Sequence, residues 1–455
     1  MTAPVTARPE HGSRKRVRRR RVAGLWTAVG VAALAVALLA VGAVVGAPDD
    51  APGAPSAGRV AGPAAPGAAF GTAIASLQDG LRRLPANDRA WAQLGAAYVQ
   101  QARLTADPSL YAKADGAFAE SLRLRPTGND AALAGQAGLA ASRHQFARAV
   151  ELSQAALSIN AYSSAALAVQ VDGLVELGRY EQSRVVLERF LQLRPGVDAF
   201  TRASYAKELQ GDVDGARDAL ERALAVAATP SDRAFAHHYL GELAWNNGDV
   251  QTASDAYEAA LAADPSYVPS LAARGKVKAL RGDVEGALAD YRAAIARQPQ
   301  VATLVELGEL LQAQGNTAQA AEQYALVRAT QQLYAASGQV VDAELALFEA
   351  DHGDPAKAVE LAGRAHAARP DSIVAQDAYA WALHAAGRDA QALPLARAAL
   401  RTGLPSAAFR YHLGAIEAAL GDPAARADLQ AALALNPGWN PLQPPRAREL
   451  LAKLP

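Results

Sequence analysis

Two hydrophobic patterns divide the chain. From Val22 to Ala47 apolar residues run on, and no charge stands between Val22 and Pro48. As a helix these 26 residues would extend roughly 39 Å at 1.5 Å per residue. That is enough to cross a ~30 Å hydrocarbon core with some tilt. Beyond residue 70 the apolar positions return at spacings of three and four, the signature of amphipathic helices. Residues 268–301 illustrate the unit. Leu271, Gly275 and Lys278 fall on one predicted helix, and Gly282-Asp283 make a turn. Ala287, Leu288, Tyr291 and Ile295 give a second helix its apolar face before Pro299 stops it. Glycine there supplies a left-handed helix end, and Asp283 is placed to cap the second helix.

The unit recurs. Glycines stand at 178, 211, 248, 282, 315, 353, 387 and 421, with intervals of 33, 37, 34, 33, 38, 34 and 34 residues. Five residues on comes a small side chain, as at Ser183, Ala216, Ala253, Ala287, Ala320, Ala358 and Ala392. Asp or Asn usually comes directly after the glycine. One helix pair cannot bury its apolar faces alone, so the copies must stack into a solenoid.

These residues resemble the tetratricopeptide repeat family. Trp91, Leu94, Gly95 and Tyr98 match the opening of its pattern, and Ala114, Phe118 and Pro126 the close. Leu240, Gly241, Gly248, Ala253, Tyr257, Ala260 and Pro265 match in a later copy, as do Gly275, Ala287, Tyr291, Ala294 and Pro299 in the next. The resemblance implies an all-α, right-handed solenoid of about ten helix-turn-helix repeats. Copies start near Asp88, Asp130, Ser164, Val197, Ala234, Val268, Val301, Gln339, Ile373 and Ala407. The second copy departs from the pattern, with His144-Gln145-Phe146 where the turn glycine belongs, and the fourth has no closing proline. Ile74, Leu77, Leu81 and Leu84 predict a capping helix over 71–84, and residues 446–454 leave room for one short terminal helix.

Charge sets the orientation. The chain is neutral overall, but residues 1–21 carry a net charge of +7 and the remainder −7. Cations beside an apolar span stay in the cytoplasm, which sends the rest of the chain outward. The expected order is a basic cytoplasmic tail (1–21), one transmembrane helix (22–47), an Ala/Pro/Gly-rich linker (48–70), the solenoid with its capping helix (71–440) and a short tail (441–455). A cleaved signal is the alternative, but its apolar core is usually shorter, about 7–15 residues. Pro48 after Val45-Gly46-Ala47 also disfavours the cut, so an uncleaved signal-anchor is the preferred reading. Arg outnumbers Lys 38 to 7, which resembles a GC-rich bacterial, actinobacterial-type genome.

Catalytic chemistry finds no motif. There is no phosphate-binding glycine loop, no Gly-x-Ser-x-Gly elbow and no His-Glu-x-x-His. The absence of cysteine removes disulfides, thiolate metal sites and cysteine nucleophiles. An acidic body is a poor nucleic-acid binder. No enzyme activity, no cofactor, no metal and no nucleic-acid partner is expected. The resemblance does imply that first helices line a concave face, where His238, Glu242, Trp245, Asn246, Lys276, Glu306, Glu309, Asp377, Trp381, His384 and Tyr411 would meet a partner. Aromatic anchors among acids suit a basic or mixed protein or peptide segment. The expected function is a membrane-anchored interaction scaffold, with residues 22–47 in the bilayer. The alternative is an extracytoplasmic binding protein for a small ligand or metal, released by signal cleavage.

Overall fold

The computed structural model describes residues 66–455. The basic tail, the apolar span 22–47 and the linker up to residue 65 lie outside the described residues. Within the described residues, no helix is long and apolar enough to cross a membrane.

Among the described residues, twenty-two helices and no strands succeed one another. The first, Pro66–Arg83, begins within the stretch read as linker. Helix pairs come next: Asp88–Thr105 with Leu110–Leu124, Asp130–Ser142 with Phe146–Ile159, and Ser164–Glu176 with Tyr180–Leu193. The fourth to seventh are Val197–Glu208 with Val213–Val226, Pro230–Asn246 with Val250–Ala263, Val268–Leu280 with Val284–Arg297, and Val301–Ala313 with Thr317–Ala336. The last three are Asp342–His352 with Pro355–Ala368, Ile373–Ala385 with Asp389–Ala399, and Ala407–Leu420 with Ala425–Leu435. Helix Gln443–Lys453 closes the chain.

Local chemistry explains the elements. Asp212, Asp249 and Asp283 accept hydrogen bonds from Gly215, Thr252 and Gly286, capping the second helices of their pairs. Asn316 makes no such bond. The fifth pair starts at Pro230, four residues before the repeat spacing places it, because Thr229 and Asp232 form a reciprocal capping box there. Each first helix packs on its own second helix and on the next pair. At the crossing Gly241 lies against the Tyr257 ring and Gly308 against Tyr324, where a methyl group would overlap the ring. Ala253, Ala287 and Ala358 are wholly buried at the matching position of the second helix. Gly353 departs from the other turn glycines: its φ is −144°.

The array does not stay open. The turn inside each of the first five pairs rests on the loop that comes after the pair five places later. Gln298 donates to the Arg103 carbonyl (2.7 Å), and Val340 N donates to the Arg143 carbonyl (2.9 Å). Arg369 bonds Glu176 (2.6 Å), and Ile373 N donates to the Tyr180 hydroxyl (3.1 Å). Gly211 faces the Gly403 carbonyl, and Asn436 donates to the Trp245 carbonyl (2.6 Å). The side-chain partners are 191 to 195 residues apart. The described residues therefore form a tightly wound superhelix of five pairs per turn, with its second turn stacked on its first along a continuous seam.

The seam explains the sequence irregularity at the second pair. His144 takes the left-handed turn in place of glycine (φ 58°). Its buried ring stacks on Phe146 and lies 3.7 Å from Glu344 across the seam. At Gly178 the seam adds a second demand to its positive φ, since a Cβ would collide with the Asp371 backbone. Gly282, with the same turn conformation, faces open space.

Candidate binding face

The first helices of the fifth to seventh pairs place charge where the resemblance puts a concave face. Glu242 accepts from the Tyr257 hydroxyl (2.6 Å) within its own pair and from Lys276 Nζ (3.0 and 3.2 Å) in the next. Lys276 also lies 5.4 Å from the Trp245 ring centre. Asn246 donates to Glu208 (3.0 Å), extending the strip back to the fourth pair. Glu306 extends it forward, with a hydrogen bond from Tyr291. The side chains of Glu242 and Lys276 keep 15% and 17% of their surface exposed, so this strip borders solvent.

Packing tunes these charges. Burial pushes the Glu208 carboxyl up to about 7; the Asn246 amide opposes the shift and the Glu242 carboxylate adds to it. Burial likewise raises Glu306 to about 7, with Lys276 pulling down and Glu242 and Glu309 pushing up. Glu242 itself ends below the usual range: burial works against ionisation, but Lys276 and His238 outweigh it. His238 is buried against Tyr239, Tyr257 and Tyr267, with Ser270 3.2 Å from Nδ1. Burial lowers its imidazole to about 4. It is a neutral packing residue at neutral pH.

Glu309, Asp377, Trp381 and Tyr411, expected on the same face, do not reach a surface. Trp381 is 0% exposed. Its indole donates to Asp351 (2.9 Å), and its ring stacks on His412 at 4.1 Å. Asp377 bonds His412 (2.9 and 3.0 Å), while His384 turns to Asp389 instead. Tyr411 is buried between Trp381 and Trp439. Glu309 is buried between His352 (3.1 Å) and Asn440. The cover is the chain's own carboxy-terminal stretch, in which Trp439, Asn440 and Gln443 lie against first helices of the seventh and tenth pairs. Trp381, Tyr411 and also Trp245, which is buried against Tyr257 and Val277, thus serve packing. The expectation of exposed aromatic anchors is corrected accordingly: the side chains are in place on the first helices, but neighbouring helices and, at Tyr411, the carboxy-terminal segment bury them.

Several charged residues escaped the sequence reading. Arg202 holds Asp172 through two hydrogen bonds (2.8 and 2.7 Å) in a buried pair. Glu176, paired with Arg369, is pushed by burial to about 7, Arg369 opposing and Glu344 adding. A signal was available: Asp172, Glu242, Lys276, Glu309 and Trp381 all stand six residues before a turn glycine. Two shallow recesses open beside these groups, with about 320 and 290 Å³ of free space including their mouths. Asp172, Glu176 and Arg202 line the first, Glu208 and Glu242 the second. Among the described residues no group of three His, Asp or Glu side chains is placed to hold a metal ion.

Residues 236–267 match the tetratricopeptide repeat family model. No curated protein matches the chain. Among solved structures, a thermophilic tetratricopeptide repeat protein of Thermus thermophilus is 21% identical, with 42% of this chain and 98% of that one covered and a TM-score of 0.37. A tetratricopeptide repeat protein of Parabacteroides merdae is 18% identical, with 56% and 97% covered and a TM-score of 0.32. The human IFIT1 dimer is 15% identical, with 73% and 78% covered and a TM-score of 0.45. The chain thus carries a tetratricopeptide repeat within an all-α array of helix pairs.

Proposed function

We propose that this protein is a non-catalytic scaffold, held at the cell membrane through residues 22–47, whose helical array binds a protein or peptide segment outside the cytoplasm. The observation that carries the reading is the half-open strip of Glu242, Lys276 and Glu306 along successive first helices, extended by the buried Glu208. A repeat array that binds a partner offers the same register from several copies, so an extended segment meets one polar group per repeat. Acids outnumber the single lysine in the strip, which suits a segment carrying basic and apolar side chains. The body's net charge of −7 favours the same partner and disfavours nucleic acid.

Topology rests on the cation block from Arg14 to Arg21 beside the uncharged run. A reporter active only outside the cytoplasm, fused after Pro455, will be active. An inactive one beside an active cytoplasmic reporter reverses the orientation. Binding is tested on a partner recovered by proximity labelling in native membranes, with Glu242→Gln and Glu306→Gln in the full chain. The reading expects affinity to fall several-fold while the fold stays intact. Unchanged affinity in both variants moves the binding site elsewhere.

A further inference from the structure

We infer that copies of this chain join head to tail, one molecule's second superhelical turn stacking on the next molecule's first turn and so extending the internal seam. The seam has two complementary sides: the turns within pairs one to five, and the loops after pairs six to ten. The same two kinds of surface recur at the ends of the molecule, where the turn of the sixth pair is met by the chain's own carboxy-terminal stretch, Leu280 lying against Gly438. The turns within pairs seven to ten form one free edge, where Gly315, Gly387 and Gly421 face open space. The loops after pairs one to five form the other. With five pairs per turn, a second copy placed along the superhelix axis sets its loop after the second pair, Asn160–Ser163, against the turn of the seventh pair at Gly315.

A second observation points to the same edges. Large apolar side chains are left exposed there: Ile159, Tyr162 and Val226 on the loop edge and Leu420 on the turn edge. Tyr162, 72% exposed, stands in the loop that would meet Gly315. Exposed apolar groups on two complementary edges favour association. Because each edge fits the other and not itself, the contact is heterologous, and such contacts build open filaments rather than closed pairs. The inference does not depend on the binding strip, which lies on the first helices and not on the edges.

The chain has no cysteine, so engineered thiols report the contact directly. Full-length protein in detergent is prepared as Tyr162→Cys, Gln314→Cys and, on a second helix away from both edges, Val185→Cys. Mixing the first two under mild oxidation will yield a disulfide-linked pair containing one of each. Neither alone, nor either mixed with Val185→Cys, will do so to the same extent. Light scattering will show wild-type association rising with concentration. Tyr162→Asp and, on the opposite edge, Leu420→Asp will each shift it at least tenfold, with melting unchanged. A chain monomeric at every attainable concentration overturns the inference. So does association that survives both substitutions without the mixed disulfide, since that places the contact in the membrane segment or elsewhere.

Discussion

Single residues in this protein are constrained more by contact than by charge. Ala287 has no exposed surface where the two helices of its pair cross, beside Tyr291 and Leu304. Ala287→Leu will lower the unfolding free energy by about 1–3 kcal/mol, measured by chemical denaturation; no loss would mean that this is not a tight crossing. Glu208 tests the buried end of the strip. Its carboxyl rises from an ordinary 4.5 to about 7 on folding, so the folded state holds a proton that the unfolded chain releases. The stabilisation is complete below about pH 4.5 and is lost as pH rises through 7. Glu176 and Glu306 act in the same direction. His238, lowered to about 4, opposes them between about pH 4 and 6.5. Replacing Glu208 by Gln will flatten the fall in unfolding free energy between pH 5 and 8, by an amount on the order of 1–3 kcal/mol. An unaltered slope in Glu208→Gln would show that its carboxyl stays solvated. The burial of Trp381 and Tyr411 was not legible in the sequence. Helical spacing assigns a residue to a face of its own helix, and it carries no information about what later folds over that face.

At the level of helices the sequence is much more informative, because each pair is specified by short-range chemistry. Turn glycine, capping aspartate and small crossing residue all lie within one interval of about 34 residues, and first helices begin at Asp88, Asp130, Ser164, Val197, Val268, Val301, Ile373 and Ala407 as the spacing predicts. Departures occur where a local signal overrides the period, as the Thr229 box does at Pro230. Not legible was that turn glycines fall into two classes. Gly178 and Gly282 share a left-handed turn, but only Gly178 touches the other superhelical turn. Gly282→Ala will cost about 1–2 kcal/mol for its backbone conformation alone. Gly178→Ala will cost at least about 1 kcal/mol more, because the added methyl meets the Asp371 backbone. Equal losses in the two variants, compared by denaturation under one condition, would argue against the seam.

For the whole molecule, the consequence of five pairs per turn is closure. An open array would leave its first-helix face available along its length; here the seam and the segment after Asn436 restrict access to the strip around Glu242 and Lys276. The closing contacts are specific and buried, most clearly Glu176 with Arg369. Arg369→Ala leaves that carboxyl without its partner and will cost about 3–5 kcal/mol, read from thermal or chemical unfolding. Glu176→Gln together with Arg369→Met will recover much of the loss if the pair contributes mainly register. The most direct test of closure uses spin labels on Gln145→Cys and Val340→Cys, which lie on opposite sides of the seam at the second and seventh pairs. The two-turn superhelix predicts strong dipolar broadening in the doubly labelled chain, absent from the sum of the two singly labelled spectra. Spectra that merely add would contradict the seam and, with it, the closed arrangement on which the reading of the binding face depends.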